Sequence, residues 1–336
     1  MKRWLLALPL VWLAGCSRRD AGEGPLVLGY FPNITHAQAL VGVRDGTFER
    51  QLSGRPLRTR VFSAGPAAME ALLAGELDMA YVGPGPALIA HLRTGGRVKV
   101  IAGAAAGGAG LVVKGVAGAG ELRGQYVGVP QIGNTQDIAL RTWLKREGLA
   151  PEGAGGDVKV IPLPNPEMVN LFRQGQLKAA WVAEPWVARL LSEGATLLVD
   201  ERSLWPDGRF PTAVLVATDR ALRGRREEVK AVLRAHLELT SRARRDPRAF
   251  AEEANAGFEA LTGKKLSDAV VQDAFSRMEL LADPMADQLR VVAEHAAALG
   301  YVPGADVSGL VDESLLREIG APKAGGDGGS GPPPGG

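Results

Sequence analysis

The stretch Leu26-Val27-Leu28-Gly29-Tyr30-Phe31-Pro32-Asn33-Ile34-Thr35-His36-Ala37-Gln38-Ala39-Leu40-Val41-Gly42-Val43-Arg44-Asp45 carries the pattern from which the fold is read. Residues 26–30 are an apolar run of strand length, ended by Pro32, which cannot donate to a sheet ladder. Residues 36–45 place apolar side chains at helical spacing. The unit is strand, polar loop, helix. It recurs with strands at 57–62 and 79–82 and helices at 66–74 and 86–93, followed by a strand at 98–102. Strand and helix alternating at these lengths predict a mostly parallel sheet with helices on both faces.

A glycine-rich break at 103–120, which contains Leu111-Val112-Val113, separates this series from a second one. There the strands are expected at 127–130, 158–162, 179–182 and 197–199, with helices at 135–147, 167–174 and 185–192. A second α/β lobe follows. Beyond Asp200 the chain passes through Trp205-Pro206-Asp207-Gly208-Arg209-Phe210-Pro211 to a short strand at 213–217. From about 227 to 299 it reads as successive helices with no strand, too long for a linker and therefore packed on a lobe.

The chain has 336 residues, enough for two domains, with 46% hydrophobic and 23% charged residues. This composition excludes disorder of the whole chain and a polytopic membrane protein. The formal net charge is +2, and the part after residue 15 is neutral. Nucleic acid is not expected as a partner, since its affinity rests on Lys and Arg releasing phosphate counterions. The basic clusters at 223–230 and 242–248 are interleaved with acids and read as solvated helix faces.

There is one cysteine, so an internal disulfide and a cysteine-rich metal site are both excluded. The histidines His36, His91, His236 and His295 lack the spacing of a metal motif. No metal and no cofactor is expected. Lys2 and Arg3 followed by an apolar run from Trp4 to Ala14 form an export signal, too short to span a membrane. Residues 1–15 are the expected signal peptide. The signal ends in Leu13-Ala14-Gly15-Cys16, which resembles the lipobox of bacterial lipoproteins, so Cys16 is the expected lipidation site. Residues 16–25 read as a tether, and 323–336, rich in Gly and Pro, as a disordered tail.

No phosphate loop GxxxxGK[ST] and no GxGxxG between strand and helix occurs, and nothing marks a nucleophile. What recurs instead is a strand ending in small and polar residues that open into a helix. Asn33-Ile34-Thr35-His36, Ser63-Ala64-Gly65, Gly83-Pro84-Gly85 and Gly133-Asn134-Thr135 are four such loops. Amides at a helix start, with the positive end of the helix dipole behind them, bind anions. Each such residue also reads as an ordinary cap or turn. His36 can equally be a capping or core residue, Trp143 and Trp181 are read as packing, and Trp186 is either packing or part of a cleft wall.

Five segments in order carry a resemblance: Gly29-Tyr30-Phe31-Pro32-Asn33-Ile34-Thr35-His36-Ala37, Tyr81-Val82-Gly83-Pro84-Gly85-Pro86-Ala87, Gly133-Asn134-Thr135-Gln136-Asp137, Ala180-Trp181-Val182-Ala183-Glu184-Pro185-Trp186, and the segment from Trp205 to Thr212. Together they resemble the aliphatic sulfonate, nitrate and taurine branch of periplasmic substrate-binding proteins of ABC transporters, over about residues 26–245. The resemblance implies an α/β fold of two lobes, the type II periplasmic-binding-protein fold, with two crossover segments and C-terminal helices packed on the first lobe. Lobe one is expected at 26–112 plus 215–322 and lobe two at 113–214.

The resemblance further implies a monomer, lipid-anchored outside the cytoplasm, that closes on a small anion and hands it to an ABC permease and its ATPase. An aliphatic sulfonate or taurine-like compound leads. Nitrate, bicarbonate, a thiamine-precursor pyrimidine, or a sensor without transport are the alternatives. The implied ligand-binding residues are Asn33, Thr35, His36, Ser63, Gly83, Gly133, Asn134 and Thr135, with Glu184, Trp186 and Thr212 as further cleft candidates. Glu184 admits two readings: a structural hydrogen bond, or a partner for the ammonium of a zwitterion. The resemblance also implies a hydroxyl before Gly107-Gly108, where this chain has Ala106. The pyrimidine synthases of thiamine biosynthesis share the fold, but they carry a cysteine-rich iron motif that is missing here, so no enzyme activity is expected.

Overall fold

The computed structural model describes residues 24–320. The expected signal peptide, Cys16, most of the tether and the tail lie outside them. The chain begins with β1 (Leu26–Tyr30), α1 (Ala37–Arg44), α2 (Thr47–Gln51), β2 (Leu57–Val61), α3 (Gly65–Leu73), β3 (Met79–Val82), α4 (Pro84–Arg93) and β4 (Val98–Gly107). It continues with β5 (Ala109–Val113), β6 (Tyr126–Val129), α5 (Thr135–Arg146), β7 (Lys159–Pro162), α6 (Asn165–Arg173), β8 (Ala179–Ala183), α7 (Trp186–Ser192) and β9 (Thr196–Asp200). It ends with β10 (Pro211–Thr218), α8 (Asp219–Gly224), α9 (Arg226–Arg245), α10 (Pro247–Thr262), α11 (Asp268–Ser276), β11 (Met278–Leu280), α12 (Ala286–Ala298) and α13 (Ser314–Glu318).

Two sheets result, ordered β11-β4-β10-β3-β1-β2 and β7-β6-β8-β5-β9. In the first, β1 pairs in parallel with β2 and β3. The returning strand β10 inserts antiparallel between β3 and β4. In the second, β6 is parallel to β7 and β8, whereas β5 runs antiparallel to both β8 and β9. The sheets are therefore mixed and not mostly parallel. The strands that break the parallel pattern, β5 and β10, are those that begin where the chain passes from one sheet to the other, so they do not follow the strand–helix–strand crossover that keeps neighbours parallel.

The chain leaves the first sheet at Gly107-Gly108, whose φ angles of +72° and +69° form a turn that a side chain would strain. It rejoins that sheet at Pro211. The exchange points lie a few residues before the boundaries expected at 112/113 and 214/215. Leu111-Val112-Val113, read as a connector, is part of β5 inside the second sheet. The C-terminal segment is not free of strands either: β11 pairs with β4, Met278 opposite Gly107 and Leu280 opposite Ala105. Three residues are too few to show an alternation in sequence.

Alternation along β1 sorts the core of the first lobe. Leu26, Leu28 and Tyr30 share a buried cluster with Leu40, Leu239 and Phe258, while Val27 joins Met69, Leu88 and Leu289 on the other face. Thus α1, α9 and α10 cover one face, and α3, α4 and α12 the other. In the second lobe Trp143 and Trp181 pack with ring centroids 6.1 Å apart inside the cluster around Leu111 and Val127.

Candidate functional site

Helix starts converge where the two lobes meet. Ala64 and Gly65 open α3, Gly83 precedes α4, Asn134 and Thr135 open α5, and Asn165 opens α6; all line one cavity of about 30 Å³. Two of these helices come from each lobe. Asn33, Ser63 and Gln136 add polar groups to the wall, and no Asp, Glu, Lys or Arg lines it. The cavity is neutral by side chains and positive by helix dipoles, an arrangement suited to an anion.

The lobes are in contact around this cavity. The Gly85 amide donates to Thr135 Oγ1 at 3.1 Å, and Trp186 Nε1 donates to Asn33 Oδ1 at 2.8 Å. The Trp186 and Phe258 rings meet edge to face with centroids 6.1 Å apart. Tyr301 Oη donates to the carboxylate of Asp137. Glycine is required for this approach: a Cβ on Gly85 would sit 3.1 Å from Thr135 Cα and 2.8 Å from Ile138 Cδ1.

Of the residues named from sequence, Asn33, Ser63, Gly83, Asn134 and Thr135 are brought together on the cavity wall. Asn134 is the helix cap, its side chain accepting from the Asp137 amide at 2.8 Å, which leaves the Thr135 hydroxyl to reach the other lobe. Trp186 lines an adjoining groove. Thr35, His36, Gly133, Glu184 and Thr212 do not line the cavity. Thr35 is buried beside His36, whose Nδ1 accepts from the Phe31 amide at 3.2 Å. Burial pushes the His36 imidazole down to about 3, so it is neutral and braces the loop from beneath. The Gly133 amide donates to Asp137 Oδ2 at 2.8 Å. The Thr212 hydroxyl donates to the Gly107 carbonyl and ties down the crossover. Ala106 lies within β4, opposite Pro211 and Glu279 on the neighbouring strands.

Glu184 is fully buried, with Oε2 accepting from the Ala188 amide at 3.0 Å and Oε1 from Arg277 Nη1 at 3.1 Å. Burial pushes its carboxyl up to about 7, against the pull of both donors. Its partners are the start of α7 and an arginine of the first lobe.

Asn165 and Gln136 were not singled out in the sequence. Asn165 is only 8% exposed, and its Oδ1 has no hydrogen-bond partner. The signal is Pro164-Asn165-Pro166 just after a strand, since proline is favoured in the first turn of a helix; the helix expected from 167 begins at Asn165. Asn165, Asn33 and Ser63 are shared with the adjoining groove, about 330 Å³, which runs between α10 on one lobe and α6 and α7 on the other. Trp186, Phe258 and Val169 give it apolar walls.

Among the described residues there is no cluster of His, Cys, Asp and Glu able to hold a metal ion, and no helix is long and apolar enough to cross a membrane. The fold matches the alkanesulfonate-binding protein SsuA of Xanthomonas axonopodis pv. citri bound to MOPS with a TM-score of 0.72 at 20% identity, covering 87% of this chain and 99% of that one. It matches the periplasmic nitrate-binding protein NrtA of Synechocystis PCC 6803 with a TM-score of 0.71 at 15% identity, covering 89% of each chain. In sequence, a binding protein of Brucella abortus (strain 2308) is 28% identical over 65% of this chain and 67% of its own. The taurine-binding periplasmic protein of Escherichia coli (strain K12) is 29% identical over 49% of this chain and 50% of its own. The profile of the NMT1-like family matches residues 20–256. On this match the chain belongs to the NMT1-like family.

Proposed function

We propose that the chain closes its two lobes on an organic anion, an aliphatic sulfonate in the first instance, and delivers it to an ABC permease driven by its ATPase. The observation that carries this reading is the neutral cavity ringed by four helix starts, two from each lobe. An anion placed there joins the lobes through dipoles and amides of both. Taurine fits less well than a plain sulfonate. Neither the cavity nor the groove is lined by a carboxylate to receive an ammonium group, and Glu184 is engaged by Arg277 and Ala188.

A thermal-shift screen with ethanesulfonate, hexanesulfonate, taurine, nitrate, bicarbonate and a thiamine-precursor pyrimidine tests the reading. A ligand at 100 times its Kd adds about 2.7 kcal/mol of stability. Stabilisation by the sulfonates above the others supports it, and stabilisation by nitrate alone or the pyrimidine alone overturns the choice of ligand. In the same proposal the protein is a monomer held at the membrane by lipid on Cys16. Cys16→Ser then releases it from membranes, and a variant that stays bound with normal processing refutes the anchor.

A further inference from the structure

The head cavity and the groove beside it differ tenfold in size, about 30 Å³ against about 330 Å³. The first has room for roughly two water-sized groups. A three- or four-atom anion would occupy it and leave the groove to solvent. The groove falls within the range of sites for drug-sized organic molecules, and Asn33, Ser63 and Asn165 belong to both spaces, so one ligand can extend through them. The side chain of Asn165 is buried at this junction with no hydrogen bond holding its Oδ1, so nothing there fixes the amide against turning its Nδ2 toward an acid group.

The groove has a charge that the head cavity lacks. Arg173, Arg189 and Lys264 line it, and no acidic residue does. Arg173 is engaged by Glu193, with Nε at 2.9 Å. Arg189 and Lys264 are in neither a side-chain hydrogen bond nor an ion pair among the described residues; Glu193 feels Arg189 only at longer range. Both are placed by regular structure. Arg189 lies one helical turn after Trp186, on the same side of α7. Lys264 follows the left-handed Gly263 that ends α10, with its amide donating to Thr262 Oγ1 at 3.3 Å. The two cations thus stand on opposite lobes, along the same apolar walls of Trp186 and Phe258.

From this arrangement we infer that the ligand is an elongated organic dianion: one acid group at the helix starts, an apolar body along the wall that Trp186 and Phe258 form together, and a second acid group at Arg189 and Lys264. This inference rests on the anion reading of the head cavity given above. A distal acid also draws the lobes together, since its two partners belong to different lobes.

The test is calorimetry at low salt with two probes of one chain length, 1-hexanesulfonate and 6-sulfohexanoate, on the wild type and on Arg189→Gln/Lys264→Gln. Both substitutions are at side chains without partners and leave the fold intact, which circular dichroism checks. The expected result is that the wild type binds 6-sulfohexanoate at least tenfold more tightly than 1-hexanesulfonate. The double variant should lose that preference and keep its affinity for 1-hexanesulfonate. Equal wild-type affinity for the two probes, or a preference that survives in the double variant, overturns the dianion while the head site stands on 1-hexanesulfonate binding. Binding of neither probe overturns the head site and the dianion together.

Discussion

The backbone amide of Gly85 in one lobe donates a 3.1 Å hydrogen bond to Oγ1 of Thr135 in the other, so the starts of α4 and α5, which pack on different sheets, touch directly. Closure of the site is built on a contact that admits no side chain between the two residues.

Gly85→Ala is therefore expected to separate folding from binding. Alanine is favoured over glycine inside a helix by about 1 kcal/mol, but Gly85 is the second residue of α4 and precedes Pro86, which disfavours a helical residue that carries a Cβ, so ligand-free thermal stability should change by no more than about 1 kcal/mol. In the closed form the new Cβ would lie 3.2 Å from the Thr135 amide nitrogen and 3.1 Å from its Cα, backbone atoms that cannot rotate away. Affinity for hexanesulfonate should fall at least about tenfold, equivalent to 1.4 kcal/mol. Calorimetry at wild-type strength would refute this closed geometry.

Thr135→Ala and Asn134→Ala should have opposite profiles, because the cap and the cleft contact are neighbouring residues. Asn134→Ala removes the cap on the Asp137 amide and should cost about 1 kcal/mol of folding stability. Thr135→Ala leaves the cap and strands the Gly85 amide only when the lobes close. It should weaken ligand binding by about 1–3 kcal/mol with little change in the unfolding midpoint of the free protein. Denaturant melts and titrations of both variants check the split.

Arg277 neutralises a buried carboxylate across the lobes, at 3.1 Å from Glu184. Arg277→Met leaves that charge without its cation, which for buried pairs costs about 3–5 kcal/mol. Glu184 escapes part of the cost by taking up a proton, so the loss should be larger at pH 8 than at pH 5. Glu184→Gln in the same chain should restore most of the stability. A loss independent of pH would show that Glu184 is already protonated in the wild type.

Glu201 is buried and accepts from Trp181 Nε1 at 2.8 Å, and burial raises its carboxyl from 4.5 to about 7. A raised carboxyl means that the folded state binds the proton more tightly than the unfolded one. Its contribution to stability is full below the unfolded value of 4.5 and is lost as pH rises to about 7. Glu201→Gln keeps an acceptor for the indole and cannot titrate. The midpoint difference between variant and wild type should become more favourable to the variant from pH 5 to pH 8. A constant difference would place the Glu201 carboxyl near its ordinary value.

The sequence by itself determined most of the elements, because apolar runs, helical spacing and the breaks between them are written locally. Leu26 to Tyr30 reads as one apolar run of strand length, and only the fold shows that Leu26, Leu28 and Tyr30 face one helix layer and Val27 the other. Four of the loops that end strands and open helices were legible as well, since Gly, Asn, Ser and Thr at such points have a local cause. The tertiary structure alone decided which of those residues meet. Gly85 and Thr135 are 50 residues apart, and Glu184 and Arg277 are 93 apart. No periodicity within either segment encodes the partner. The same distance hid the insertion of β10 between β3 and β4 and the three-residue strand β11, both defined by what they pair with. Asn165 was hidden for a related reason: it lies just ahead of the helix expected from 167, and only the approach of α3, α4 and α5 makes it part of a wall. Glu184, a candidate for reading a ligand from its place beside Trp186, is held by an arginine from the far end of the chain, because a buried carboxylate takes the partner that the fold delivers to it.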